Sequence, residues 1–311
     1  MTILVADVGG TNTRFALCDP DAGISRATLT RYRNTGYPSF DAALTSYLSA
    51  QGTPALTAVC IAVAGPVSGG RARLTNLDWG FDAGALSRLT RAPVTIINDL
   101  AALGHAVPGF GADDTATVHS PDPALRVANG QALVLGLGTG VNACAVRMAP
   151  GHPAACLEAE AGHTSLPASV AALLAQRFGT LPEAFFSTEE LFAGRGLARL
   201  HALATGTTQD GAAIIAAHAT GDALATETLT LFATLAGTYA RELALQYMPR
   251  EGLYLAGSVA RGVIEAGFAA PFTAAYTAPQ RFGDLVAGMP VRLITDDMAA
   301  LAGCLAAVRP A

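Results

Sequence analysis

Apolar runs punctuated by glycine set the rhythm of the first hundred residues. Residues 2–7 and 13–18 are short apolar runs, and the spacing predicts two strands joined by a Gly-Gly-Thr turn. Residues 39–51 carry apolar positions at helical spacing behind Ser39, which predicts a capped helix. "AVCIAVAG" (58–65) and "VTIIND" (94–99) predict buried strands, with an apolar helix starting at Leu100. Strands alternating with helices argue for a largely parallel or mixed α/β sheet. The polar, Gly- and Pro-containing stretch 110–125 is the candidate boundary.

The pattern then restarts. "ALVLGLGTGVNACAV" (132–146) again reads strand, glycine turn, strand, and beside "LVADVGGTNTRFAL" (4–17) it forms an internal repeat of design rather than of letters. Helical spacing follows over about 168–178, 189–204, 210–219 and 222–247. "GLYLAGSVA" (252–260) reads as a strand ending in a small-residue turn, "VRLITDD" (291–297) as a strand, and 298–308 as a closing helix. The chain therefore divides into a small α/β domain, 1–112, completed by a C-terminal helix at about 298–311, and a large α/β domain, 113–297.

Composition narrows the function classes. The 311 residues are 51% hydrophobic and 14% charged, enough for sizeable cores and far from a disordered composition. The net charge is −5, and the 19 basic residues, all arginine, form no cluster, so a nucleic-acid partner is not expected. The start, Met-Thr and then a strand, has no basic leader. The uncharged stretch Val127 to Val146 is long enough for a membrane span, but its glycines, asparagines and glutamine favour buried strands. Cys18, Cys60, Cys144, Cys156 and Cys304 are scattered, with no paired spacing, as expected of reduced thiols in a cytoplasmic protein.

A single glycine turn between strands is ordinarily a tight hairpin and nothing more. Here glycine also allows close approach of backbone N–H groups to an anion, and Thr11 and Thr139 add hydroxyl donors. Asp7 at the end of an apolar strand is costly to bury unpaired, and makes sense facing a hydrated metal ion or a polyphosphate–Mg²⁺ complex. No GxxxxGK[ST] loop exists, and no GxGxxG follows the first strand.

"DVGGTNTRFAL" (7–17) resembles the first phosphate motif of the bacterial glucokinases, a branch of the actin/hexokinase-like ATPases. "TNLDW" (75–79), "IINDLAALG" (96–104), "LGLGTGVNACAV" (135–146), "EAGH" (160–163), "EELFAGRGL" (189–197) and "LYLAGSVA" (253–260) follow in that family's order. The resemblance implies a two-lobed, actin-like/ribonuclease H-like ATPase fold with an interdomain cleft that closes over glucose. It implies ATP and Mg²⁺ as cofactors and a homodimer as the usual assembly. By the same resemblance Gly9, Gly10, Thr11 and Asn12 belong to one phosphate site, with Asp7 facing Mg²⁺ through water or phosphate. Gly138, Thr139 and Gly140 belong to the second phosphate site, and Gly257 and Ser258 to the adenosine motif.

The same resemblance makes Asp99 the general base on the sugar 6-hydroxyl, with Asn98, Glu160, His163 and Glu189 binding the sugar and Thr75 and Asn76 lining its cleft. Each has a plainer alternative. Asn98 or Asp99 before "LAALGHAV" is ordinary helix capping, "EAGH" is a turn, and Glu189 in "STEEL" is an acidic helix start. Two departures from the family pattern bear on nucleotide affinity: Asn142 in the second hairpin, and Ala-Gly-Ser at 256–258 where Gly-Gly is usual. Rival expectations are a ROK-like kinase for another hexose or amino sugar, and a sugar sensor without catalysis. No Cys-rich zinc loop follows Cys156, and the chain enters its first strand with no helix-turn-helix before it.

Overall fold

A glycine-tipped hairpin opens each of two sheets. The computed structural model describes residues 1–74 and 77–309, so Thr75 and Asn76 lie outside the described residues. Residues group into two units: Met1–Phe110 with Met148–Cys156 and Asp297–Ala311, and Gly111–Arg147 with Leu157–Asp296.

In the first unit, Ile3–Val8 and Asn12–Asp19 pair antiparallel, with Asp7 opposite Arg14 and Val8 opposite Thr13. Ala58–Val63 adds parallel to Ile3–Val8, and Val94–Asn98 adds parallel to Ala58–Val63. Such a central strand is covered on both faces and reads as a continuous apolar run. Leu4, Ala6 and Val8 pack with Phe40, Leu44 and Tyr47 of the helix Phe40–Ala50. The alternate residues Ile3 and Val5 pack with Leu301 and Cys304 of the helix Ala299–Val308. Phe15 stacks on Tyr47 at 5.0 Å between centroids, a contact worth about 0.5–1.5 kcal/mol beyond its buried area.

The second unit repeats the design. Gln131–Leu137 and Val141–Ala149 form the antiparallel hairpin, Gly252–Ala256 adds parallel to Gln131–Leu137, and Val291–Ile294 adds parallel to Gly252–Ala256. The weak repeat of the sequence is thus a repeat of strand order. Around the long helix Ala223–Tyr247, Leu229, Phe232, Leu235 and Tyr239 anchor the core, with Phe192 stacked on Tyr239 at 5.0 Å.

Three elements differ from the sequence reading. The stretch 189–204 is two helices, Thr188–Phe192 and Gly194–Thr205, because Ala193 is extended and the Gly194 amide donates to Gly138 O at 2.9 Å. The strand of 252–260 ends at Ala256, and its small-residue turn leads into a helix, Ser258–Val263, that the sequence reading did not include. The polar boundary 110–125 contains the strand Thr115–His119, which pairs with Val291–Ile294. Among the described residues no helix is long and apolar enough to cross a membrane, and the five cysteines carry free thiols.

Candidate active site

The parallel strands of the first unit end level with one another. Val8 lies in register with Val63, and Val63 with Asn98. The Gly9–Asn12 turn, the Ala64–Gly65 turn and the Asn98–Asp99 step therefore share one sheet edge, the carboxyl edge where α/β sheets place ligand chemistry. The Gly9 amide closes the first turn on Asn12 O at 3.0 Å, and the Ala64 amide donates to Val8 O at 3.0 Å.

Asn98 caps the helix Asp99–Ala106: its Oδ1 accepts from the Leu100 amide at 2.9 Å, while Nδ2 donates to Gly65 O at 3.1 Å. The capping alternative is therefore present in the fold, and it fixes the residue beside the carboxylate of interest. Asp99 is half-buried, and its Oδ1 accepts from the Leu100 amide at 2.9 Å. Loss of hydration, with the nearby Asp7 charge adding to it, pushes the Asp99 carboxyl up to about 6.

Asp7 is not unpaired. Arg14, directly across the strand pair, donates to Asp7 Oδ2 from Nε at 3.1 Å and from Nη2 at 2.7 Å, and Nη1 donates to Asp297 O. The pair removes the argument that burial alone requires a metal at Asp7.

In the second unit the tip Gly138–Thr139–Gly140 closes through the Gly138 amide to Gly140 O at 3.0 Å. Glu189 reaches this tip. Its Oε2 accepts from the Val141 amide at 3.0 Å, and a Cβ on Gly140 would lie 2.8 Å from the same oxygen. Glycine at 140 is what admits the carboxylate there. Arg195 Nη2 donates to Glu189 Oε1 at 2.6 Å. Burial pushes Glu189 up, but the Arg195 hydrogen bond, the Val141 amide and the charge of His163 outweigh it and hold the carboxyl below its ordinary value. His163 and Glu160 bound the short helical turn Ala161–His163, and both are exposed. Gly257, at φ +93°, follows the strand Gly252–Ala256; a Cβ there would lie 2.4 Å from Leu137 O. Gly257 and Ser258 are exposed beside Gly138.

The glucokinase family model matches residues 4–311. The chain belongs to the glucokinase family. A glucokinase of Cupriavidus pinatubonensis is 33% identical over 313 residues, covering 96% of this chain and 90% of the relative. The crystal structure of glucokinase from an Antarctic psychrotroph superimposes with a TM-score of 0.82 at 27% identity, covering 99% of this chain and 98% of that one. A ROK family glucokinase from Streptomyces griseus, solved with glucose and AMPPNP, shares the fold at 20% identity with a TM-score of 0.66, covering 99% of each chain. The fold is that of the actin-like ATPase sugar kinases, and the chain is an enzyme of sugar phosphorylation.

Three residues of this glucokinase-family site escaped the sequence reading in the roles the structure gives them. Buried Asn34 donates from Nδ2 to Gly9 O at 2.8 Å and accepts from Thr13 Oγ1 at 2.8 Å, while its amide donates to Thr11 O at 2.9 Å. It buttresses the first glycine turn, and no local pattern in the sequence marks it for that role. Asn142, noted as a departure in the second hairpin, ties that hairpin to the Ala161–His163 turn: its Oδ1 accepts from the Ala161 amide at 2.9 Å. Arg195 had no assigned role, although it stands inside the "FAGRGL" motif.

Proposed function

We propose that the protein transfers the γ-phosphoryl group of ATP to O6 of glucose, with Asp99 as general base. The observation that carries this is the Asp99 carboxyl, raised to about 6, on the same sheet edge as Asp7 and the first glycine turn. Membership of the glucokinase family supplies the reaction class.

Glu160, His163, Glu189 and Asn98 would bind the sugar hydroxyls. An ionised Glu189 accepts two hydroxyl protons, and two of its acceptor sites are already committed to Val141 and Arg195. A sugar lacking the matching hydroxyl would leave these groups unpaired, which is how such a site discriminates. Gly9, Gly10, Thr11 and Asn12 would receive one part of the phosphate chain, and Gly138, Thr139 and Gly140 the other. Gly257 and Ser258 would adjoin the adenosine.

Asp99 takes the 6-hydroxyl proton as O6 forms its bond to the γ-phosphorus, and the bond to the β,γ-bridging oxygen breaks to release ADP. In such a loose transition state a carboxylate suffices, because proton removal is late and positioning carries most of the acceleration. Asp7 stands near the end of its strand beside the first glycine turn, a single carboxylate that fits Mg²⁺ as a partner of the phosphates, since Mg²⁺ ordinarily takes one or two carboxylates plus phosphates and water. Asp7 would hold that ion, which when bound neutralises charge on the phosphoryl oxygens. The reading also carries a cytoplasmic homodimer.

ADP release, measured across glucose, mannose, fructose, glucosamine and N-acetylglucosamine with ATP and Mg²⁺, tests the proposal. Glucose is expected to give the highest kcat/KM. Faster turnover of an amino sugar would identify the ROK-like alternative, and sugar binding without ADP release would identify a sensor.

A further inference from the structure

Arg195 carries more than a surface ion pair. Nη2 donates to Glu189 Oε1 at 2.6 Å and to Glu190 Oε1 at 2.8 Å, Nε donates to Glu190 Oε1 at 3.1 Å, and Nη1 donates to Thr139 O at 3.4 Å. Glu190 is held in turn by Arg199. The other Glu189 oxygen is fixed by the Val141 amide on the hairpin strand. Glu189 is thus clamped between the hairpin and the helix Gly194–Thr205, and one guanidinium touches both the carboxylate and the hairpin tip. The Glu189 side chain is 19% exposed and that of Arg195 41%.

A planar fork with several partners sets geometry in a way a point charge cannot. We propose that Arg195 is a positioning residue that locks Glu189 to the Thr139 tip, so that sugar and nucleotide binding are coupled through one side chain. This rests on the reading that Glu189 binds the sugar and Thr139 the phosphates. The charged groups around Glu189 are Arg195, His163 from the Ala161–His163 turn, Glu190 on its own short helix, and Arg199 beyond Glu190.

The test is calorimetric titration with glucose, alone and with saturating AMPPNP and Mg²⁺, on wild type, Arg195→Gln, Arg195→Lys and Glu189→Gln, with the melting temperature of each. In wild type the analogue is expected to tighten glucose binding. Arg195→Gln should weaken glucose by about five- to tenfold, a charged hydrogen bond discounted for its exposure. It should also bring the ratio of affinities with and without analogue to about one. Glucose binding should begin to fail at higher pH than in wild type, because Glu189 loses the partner that holds its carboxyl down. Arg195→Lys should recover much of the affinity and none of the coupling. An Arg195→Gln protein with wild-type affinity, ratio and pH limb overturns the inference, even if its melting temperature falls. If that variant does not fold, coupling retained in Arg195→Lys overturns it. Glu189→Gln separates the two claims: if it leaves glucose binding intact, the sugar reading of Glu189 fails, whereas weak binding there with an unaffected Arg195→Gln sinks only the role of Arg195.

Discussion

A carboxyl that has lost water and lies in the field of a second carboxylate is a better base than a free one, and both conditions act on Asp99. With its carboxyl raised to about 6, it is protonated in mildly acidic solution and ionised at neutral pH. A general base works only when ionised, so log kcat/KM should fall with unit slope below about pH 6. Replacing Asp7 by Asn removes the like charge and leaves the Arg14 guanidinium without its carboxylate partner. Both changes favour ionised Asp99, so the acid limb should move to lower pH, whatever the maximal rate becomes. A limb that stays near 6 in Asp7→Asn would mean that Asp7 does not act on Asp99. The placement of Asp99 at the end of a buried strand was legible, because "IIND" closes an apolar run, whereas the proposed role as base came only from the family resemblance. Arg14 as the partner of Asp7 was not legible. Cross-strand pairing depends on register, and register becomes definite only when the hairpin closes.

At the scale of elements, the two glycine hairpins and the strands beside them were readable from apolar periodicity. The break at Ala193 was not, since the "EELFAGRGL" pattern continues at helical spacing. Only the hydrogen bond from Gly194 to Gly138 shows why the helix restarts. Asn34, Asn142 and Arg195 were illegible as supports for the same reason: each reaches a different element, and a single chain carries no local mark of that. Gly257 is the element-scale test. Its φ of +93° and the 2.4 Å separation of a Cβ from Leu137 O leave no room for alanine. Gly257→Ala should cost about 1–3 kcal/mol and raise KM for ATP more than KM for glucose. Gly109→Ala, at a position with open space and ordinary φ, is the control and should do neither. Equal behaviour of the two variants in melting and kinetics would remove Gly257 from the nucleotide motif.

Over the whole molecule, the reading assigns different work to the two units. Asp99, Asp7 and the first glycine turn belong to the first, while Glu160, His163, Glu189 and the second glycine turn belong to the second. The base and most of the proposed sugar contacts are therefore separable by mutation. Removing the Asp99 side chain would take away the proposed proton acceptor and leave the proposed hydroxyl partners of the second unit in place. General-base removal typically costs about 10²–10⁴-fold in rate. The decisive measurement is steady-state ADP release by Asp99→Ala, with glucose affinity determined calorimetrically on the same preparation. The account predicts a kcat reduced by about a hundredfold or more with glucose affinity within a few-fold of wild type. Turnover near the wild-type rate in that variant would contradict it.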